Sequence, residues 1–195
     1  MRKEFITTIG DLESRGDIML TGEKVRLRAY RREEMPKVVE LINDPEVKGL
    51  LTPGVPFPYT LEDEYKWYES LTGNSSGTYN FAIETIEGGL YLGGCGINGI
   101  DWKNRVAVVG IFIGEKSYWG KGYGTDAMKV LVDFIFKEMN VNKIKLNVFG
   151  FNLRAKKSYE KCGFQVEGHL RQEIFRDGVY HDEYIMAILR EDYLG

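Results

Sequence analysis

The sequence predicts a single mixed α/β domain of 195 residues. Three observations favour this fold class: segments that alternate polar and apolar residues as half-buried strands do, segments of helical periodicity between them, and a length that suits one domain. Hydrophobic residues make up 43% of the chain and charged residues 28%, which is the balance of a globular protein with a sizeable core.

The first residues are interpreted as an extension ahead of the domain. Residues 1–18 are polar and lack clean periodicity, so we expect the domain to span residues 19–195. Residues 24–29 alternate polar and apolar side chains and predict the first strand.

Two helices are predicted next, separated by a loop. Residues 32–42 carry an apolar helical face made of Met35, Val38, Val39 and Ile42. Pro45 and three further prolines then predict a loop, because proline lacks the N–H that a helix interior needs. The spacing of Thr60 and Asp63 is that of a capping box and opens the second helix.

Three strands and a long helix are predicted in the middle of the chain. The strands cover residues 79–86, 90–98 and 105–113, and the helix covers residues 123–138. The polar residues of this helix form one stripe that we expect to face solvent: Asp126, Lys129, Asp133 and Lys137.

The last part of the chain predicts a strand, a short helix and a hairpin. Residues 143–148 alternate again, Asn152 and Gly163 are typical of the two ends of a helix, and Asp177-Gly178 is a type I′ turn signal. The predicted order is β-α-α-β-β-β-α-β-α-β-β.

Composition argues against several classes of partner. A net charge of −3 gives no basic footprint, so nucleic acid is not expected. No apolar run reaches the roughly 18 residues of a membrane span, and no signal peptide is evident. Cys95 and Cys162 are too few for a disulfide scaffold and suit a reducing compartment. We therefore expect a cytoplasmic protein, with its oligomeric state, monomer or homo-oligomer, left open.

A glycine-rich turn joins a predicted strand to the long helix. Glycines stand at positions 120, 122 and 124, directly before the helix. Glycines let backbone N–H groups converge on a ligand, and a helix N-terminus adds partial positive charge, so the turn is suited to a pyrophosphate. Glycines that serve only a tight turn would give the same pattern.

Two other phosphate-binding motifs do not fit this turn. A Walker A motif would need a glycine where Glu115 stands and Ser or Thr where Gly122 stands. The dinucleotide pattern Gly-x-Gly-x-x-Gly also fails, because the three glycines are spaced two and two.

A second motif covers residues 152–164. Four residues share one face of the predicted short helix: Ala155, Ser158, Tyr159 and Cys162. A hydroxyl on a packed face needs a partner. Tyr159 is therefore either a core tyrosine bonded to a backbone carbonyl or a residue of a functional site.

Together, in this order, the two motifs resemble those of the GNAT superfamily of N-acetyltransferases. Residues 119–125 resemble its pyrophosphate-binding motif, and residues 152–164 resemble the Asn…Tyr-Glu-Lys-x-Gly-Phe signature that follows. Residues 44–47 (Asp-Pro-Glu-Val) and residues 118–123 (Tyr-Trp-Gly-Lys-Gly-Tyr) are typical of its ribosomal-protein and polyamine branches. The resemblance covers residues 20–193.

The resemblance implies direct transfer of an acetyl group from acetyl-CoA to a primary amine in a ternary complex. It also implies a central mixed, mostly antiparallel sheet with splayed central strands and helices on both faces. Backbone groups on the fourth strand would contact the pantetheine arm, at Ile111, Phe112 and Ile113. The pyrophosphate would be held by Trp119, Gly120, Lys121, Gly122, Tyr123, Gly124 and Thr125.

The second motif completes the implied site. By the resemblance, Asn152 hydrogen-bonds the cofactor, and Ala155 and Lys156 line it. Tyr159 stands near the sulfur as the general acid for the departing thiolate.

The sequence departs from the family pattern at three positions. Trp119 replaces the usual Gln or Arg, Asn147 stands where some relatives carry a glutamate base, and Val108 stands where many carry an acid. The base is therefore left open, with a water chain as one alternative. The cysteines are read as core residues, and the other candidates are read as surface or solvated groups: His169, His181, Glu84, Asp101 and Glu115. No cluster has metal-ligand spacing, so no metal is expected.

The class of acceptor amine is predicted from the lack of an identified general base in the sequence. An α-amine with a pKa of about 8 loses its proton more easily than a lysine-like amine at about 10.4, a difference of about 3.4 kcal/mol. We therefore expect a protein or peptide α-amine as the favoured acceptor. A polyamine such as spermidine, or another small amine, is the alternative, and a non-catalytic acetyl-CoA-binding module is a third.

Overall fold

The computed structural model describes residues 20–71 and 77–195, so the predicted extension of residues 1–18 lies outside the described residues. Seven strands form one sheet in the described part of the chain. Their bounds are Val25–Arg28 (β1), Tyr79–Thr85 (β2), Tyr91–Asp101 (β3), Val106–Ile113 (β4), Lys143–Phe149 (β5), Gln165–Arg176 (β6) and Val179–Leu189 (β7).

The strands lie in the order β1-β2-β3-β4-β5-β7-β6. Every neighbouring pair is antiparallel except β4 and β5, which run parallel. The mixed, mostly antiparallel sheet is therefore confirmed.

Six α-helices accompany the sheet in the described residues. Their bounds are Met35–Asn43 (α1), Pro45–Leu51 (α2), Leu61–Ser70 (α3), Tyr123–Glu138 (α4), Leu153–Lys161 (α5) and Arg190–Leu194 (α6), with short 3₁₀ turns at Arg32–Glu34 and Lys116–Tyr118. None of these helices combines the length and the apolar character that a membrane crossing requires.

Helices cover both faces of the sheet. Ile83 packs in a cluster with α4 and α5, whereas Ala82, its neighbour on β2, packs in a second cluster with α1 and α3. Adjacent residues of a strand point to opposite faces, so the two clusters lie on opposite sides of the sheet. The long helix α4 contributes most to the first cluster, through Ala127, Met128, Leu131, Val132, Ile135 and Phe136.

The local signals for helix ends and turns are confirmed. Thr60 accepts a hydrogen bond from the N–H of Asp63 in the capping box of α3, and Asn152 caps α5 by accepting from the N–H of Ala155. Gly163 (φ 94°) ends α5, and Asp177 and Gly178 (φ 51° and 79°) form the hairpin turn.

Two predictions about the N-terminal helices are wrong. Pro45 begins α2 instead of a loop, because proline is tolerated in the first helical turn and Asp44 caps that turn by accepting from the N–H groups of Glu46 and Val47. The buried residues of α1 are Met35, Val38 and Leu41, whereas Val39 and Ile42 are only half-buried.

Asp126 also differs from the prediction, since it is half-buried and its carboxylate bonds to the backbone. It accepts hydrogen bonds from the backbone N–H groups of Glu23, Lys24 and Val25, at 3.1, 2.8 and 3.0 Å. A Cβ on Gly22 would lie 2.5 Å from a carboxylate oxygen of Asp126, so that position has no room for a side chain. The first turn of α4 thus holds the start of β1, an edge strand of the sheet.

We expect Asp126→Asn to lower the free energy of unfolding by about 1–3 kcal/mol, because hydrogen bonds to a charged acceptor are lost. Chemical denaturation measures the change. Asp133→Asn is the matched control on the same helix, since the Asp133 carboxylate contacts the side chains of Lys137 and Tyr193 and not the start of β1. Equal effects of the two substitutions would contradict the role assigned to Asp126.

Candidate active site

A gap in the centre of the sheet lies between β4 and β5. The two strands pair only at Val106–Lys143, Ala107–Ile144 and Val108–Lys145. Beyond these pairs β4 continues to Ile113 and β5 to Phe149, but their facing edges no longer bond to each other. The gap therefore leaves backbone N–H and C=O groups available to a ligand.

A cavity of about 620 Å³ opens at this gap. Eleven of the residues that the sequence placed in the site line it: Ile111, Phe112, Ile113, Trp119, Gly120, Gly122, Gly124, Thr125, Asn152, Ala155 and Tyr159. Three others do not line it, namely Lys121, Tyr123 and Lys156. Lys156 instead forms an ion pair with Glu160 at 2.7 Å.

The glycine-rich turn ends one side of this cavity. Gly120 and Gly122 have φ values of 71° and 90°, in the left-handed region that favours glycine. Gly122 is the N-cap of α4 and has no side chain to accept from the first N–H groups of the helix. Those N–H groups have no intrahelical acceptor, so the turn forms a cradle suited to an anion.

Trp119 stands where the family motif usually has Gln or Arg, and its side chain is bonded within the fold. The indole Nε1 donates to the carbonyl oxygen of Ile113 at 2.6 Å, so it is directed into the fold. The guanidinium of Arg154 lies over the Trp119 ring, 3.5 Å from its centroid, and Arg154 also lines the cavity. A cation from α5 thus stands beside the cradle. Nothing in the sequence indicated Arg154 in this role, because its contact with Trp119 spans 35 residues.

Three polar residues on or next to α4 and α5 also line the cavity. Asn152 uses its side-chain oxygen to cap α5, which leaves its amide NH₂ group to donate to a ligand. The hydroxyls of Thr125 and Ser158 share a hydrogen bond of 2.7 Å and tie α4 to α5.

Tyr159 is buried in the wall of the cavity. Its ring packs near Phe164, and no hydrogen bond joins its hydroxyl to any other residue in the described parts of the chain. Burial, with a smaller contribution from Cys162, raises the pKa of Tyr159 well above its ordinary value. The hydroxyl therefore stays protonated near neutral pH and can act as a hydrogen-bond donor.

The cysteines and histidines lie outside the catalytic geometry. Burial raises the pKa of the Cys162 thiol to about 11 and raises the pKa of Cys95 strongly, so neither is an activated nucleophile. His169 contacts Asp182 at 2.6 Å on the surface, and His181 packs against Phe151. In residues 20–71 and 77–195, no group of His, Cys, Asp and Glu could hold a metal ion.

Glu84 is not the solvated charge that the sequence suggested. It is 1% exposed and accepts hydrogen bonds from Arg26 and Arg28, each at 2.6 Å. Burial by itself raises the pKa of Glu84, but these hydrogen bonds outweigh it and hold the pKa below its usual value. Glu84 therefore joins β1 to β2 and does not line the cavity.

Glu183 is a second site residue, after Arg154, that the sequence did not predict. It lies on β7, is 6% exposed and lines the cavity. Its Oε2 accepts a hydrogen bond of 2.8 Å from Nδ2 of Asn147 on β5. In the sequence it directly follows His181 and Asp182 on the same strand, so no local pattern distinguished it from its polar neighbours.

Comparisons with known proteins agree with this geometry. Residues 24–165 match the family described as Acetyltransferase (GNAT) domain. The chain is 30% identical to an uncharacterized N-acetyltransferase, p20, of Bacillus licheniformis, over 89% of this chain and 97% of that protein. It is also 30% identical to spermidine N(1)-acetyltransferase of Escherichia coli, over 91% of this chain and 92% of that protein.

A solved structure supports the same relation. The crystal structure of spermidine N-acetyltransferase from Vibrio cholerae, in complex with CoA and spermine, superposes with a TM-score of 0.79 at 27% identity. The match covers 88% of this chain and 98% of that chain.

We expect Gly122→Val to weaken acetyl-CoA binding about tenfold or more, because a side chain at this φ disturbs the anion cradle. A Cβ at Gly122 meets only the side chain of Lys24, at 3.7 Å, so the fold itself has room for it. Isothermal calorimetry measures the affinity. Gly178→Val is the matched control, since it places the same strain in the distant hairpin turn. Equal acetyl-CoA affinities for the two variants would remove the turn from the binding site.

Proposed function

The chain belongs to the GNAT family of acetyl-CoA-dependent N-acetyltransferases, and we propose that its acceptor is a small primary amine, with polyamines such as spermidine as the leading candidates. The observation that carries this proposal is the cavity at the β4–β5 gap, which joins an anion cradle to a buried carboxylate, Glu183. The spermidine acetyltransferases among its relatives support the same acceptor class.

The residues of the cavity fit coenzyme A. We propose that the N–H groups of the turn at residues 120–125 and the cation of Arg154 hold the pyrophosphate. The unpaired edge of β4 offers backbone groups to the pantetheine amides. Asn152 donates from its free NH₂ group, while Lys157 and Lys161 line the same cavity and add positive charge.

The sequence predicted a peptide α-amine as the acceptor, and a small amine is now the better-supported acceptor. That expectation depended on a missing carboxylate base, because Asn147 stands at the usual position. Glu183 supplies a carboxylate next to Asn147 from the neighbouring strand, so a strongly basic amine is no longer disfavoured. Two of the relatives are named as spermidine N(1)-acetyltransferases, which favours the small amine further.

In the proposed reaction the amine attacks the thioester carbonyl within a ternary complex, and Tyr159 donates a proton to the departing sulfur. A buried hydroxyl with a raised pKa is a weak acid. The leaving group is nevertheless tolerable without strong acid assistance, because its conjugate thiol has a pKa of about 8.5. We therefore assign Tyr159 a modest contribution to the rate, at the low end of general acid catalysis.

We expect Tyr159→Phe to lower kcat about 10- to 100-fold while acetyl-CoA affinity and Tm stay nearly unchanged. The substitution keeps the packed ring, and the hydroxyl that it removes has no hydrogen-bond partner in the described residues. Steady-state thiol release and thermal denaturation measure the two effects. Tyr184→Phe is the control, because Tyr184 lies outside the cavity lining. A lowered Tm with unchanged kcat would make Tyr159 a structural residue.

We expect spermidine and simple diamines to exceed an N-terminal peptide in kcat/KM by about tenfold or more at pH 7.5, because a buried carboxylate favours a strongly basic ammonium. Thiol release over a panel of polyamines, peptides, aminoglycosides and amino acids measures the preference. A tenfold preference for the peptide would reverse the assignment of the acceptor. Acetyl-CoA binding without thiol release for any amine would instead indicate a non-catalytic module.

A further inference from the structure

The Glu183 carboxyl group forms no ion pair in the described part of the chain. Among the described residues that line the cavity, it is the single carboxylate. The cations of that lining, Arg154, Lys157 and Lys161, lie on α5, and none forms an ion pair with Glu183. A buried carboxylate without a cationic partner is costly, so the site is complementary to a cationic ligand.

Asn147 holds this carboxylate in one orientation. Phe149 lies directly opposite Glu183 in the β5–β7 register, and Asn147 lies diagonally across on the same face. Asn147 Nδ2 donates to Oε2, and Oε1 has no partner in the described residues. One oxygen of Glu183 is therefore fixed and the other is free to accept a hydrogen bond from a ligand.

Glu183 and Tyr159 approach the cavity from opposite faces of the sheet. Leu146 and Val148 pack in the cluster with α4 and α5, so Asn147 between them points to the other face, and Glu183 with it. Tyr159 belongs to α5 and packs in that cluster. The two side chains line one cavity only because the sheet is open between β4 and β5.

We propose that Glu183 binds the ammonium group of the acceptor and removes its proton, with Asn147 as the positioning residue. The proposal deepens the proposed function and rests on it. On β5, Asn147 stands where some relatives carry a glutamate base. In this chain the carboxylate is Glu183 of the adjacent strand β7. The acceptor class is a primary alkylammonium, because the same cavity is lined by apolar residues of α2 and the loop after it: Val47, Leu50, Leu51 and Pro53.

In the proposed reaction Glu183 and Tyr159 each end in the protonation state in which they began. Glu183 takes one proton from the ammonium group, and the nitrogen lone pair then forms a bond to the carbonyl carbon of the thioester. The C–S bond breaks, and the sulfur takes a proton from the Tyr159 hydroxyl. The second proton of the nitrogen returns to the Tyr159 oxygen, and Glu183 releases its proton to water. The products are an N-alkyl acetamide, the free thiol and one proton.

The decisive variant is Glu183→Gln, which keeps the shape of the side chain and its hydrogen bond from Asn147. Without a base, the acceptor must arrive already neutral, and at pH 7 only about one in 2,500 molecules of a lysine-like amine is neutral. With n-butylamine as the probe, we expect kcat/KM to fall about 100- to 1000-fold at pH 7. The loss relative to the parent protein should shrink about tenfold per pH unit up to pH 9. The ratio of kcat/KM between the parent protein and the variant is taken at each pH. Titration of the other charged groups in the cavity affects both proteins and therefore drops out of this ratio.

Binding gives a readout that does not depend on turnover. Calorimetry of n-butylamine with the CoA-bound protein should show affinity at least about tenfold weaker in Glu183→Gln, with CoA affinity and Tm unchanged. Asn147→Leu keeps the carboxylate but removes its donor, and it should give a smaller loss of kcat/KM. Glu173→Gln is the matched control, because Glu173 is exposed on β6 and does not line the cavity.

Three outcomes would overturn the proposal for Glu183: unchanged kcat/KM, a loss that is independent of pH, or unchanged amine binding. The proposed function fails differently, since the parent protein itself would then release no thiol with any amine. If Glu183→Gln does not fold, Glu183→Asp provides the second variant. It keeps the carboxylate but withdraws it from the amine on a shorter side chain, so we expect a lower kcat/KM than in Asn147→Leu, which keeps the full-length base.

Discussion

The limited pairing between β4 and β5 is the constraint on which the rest of the site depends. A parallel pair that continued past Val108 would satisfy its own backbone groups and close the sheet. Because pairing stops there, the facing edges of both strands must find other partners. The Trp119 indole supplies one for the Ile113 carbonyl, and the remaining groups are available to a bound thioester arm.

The gap also determines where charge is placed. The cavity has positive charge on the α5 side, from Arg154, Lys157 and Lys161, and a single negative charge on β7, from Glu183. The positive side suits the phosphates of coenzyme A, and the negative side suits an ammonium group. Since the two regions belong to opposite faces of the sheet, two substrates can enter from different sides and meet where the strands separate.

Long-range hydrogen bonds hold the framework of this site. Asp126 fixes the start of β1 to the first turn of α4, one turn beyond the glycine cradle. Thr125 and Ser158 join α4 to α5, which carries Tyr159 and Arg154. The cradle, the cation and the candidate acid therefore sit on two helices that are bonded to each other, and their relative positions follow from the packing of those helices on one face of the sheet.

The sequence by itself determined the features that neighbouring residues encode. Alternation gave the strands, the caps at Thr60 and Asn152 gave helix starts, and Gly122 marked the anion cradle, because propensity, capping and positive φ act within a few residues. Only the tertiary structure decided which distant groups meet. Asn147 and Glu183 are 36 residues apart, and Asp126 is about 100 residues from the backbone that it holds. A side chain on a strand gives no local sign of its partner on the next strand, so an Asn that read as a missing base is the donor that positions a carboxylate.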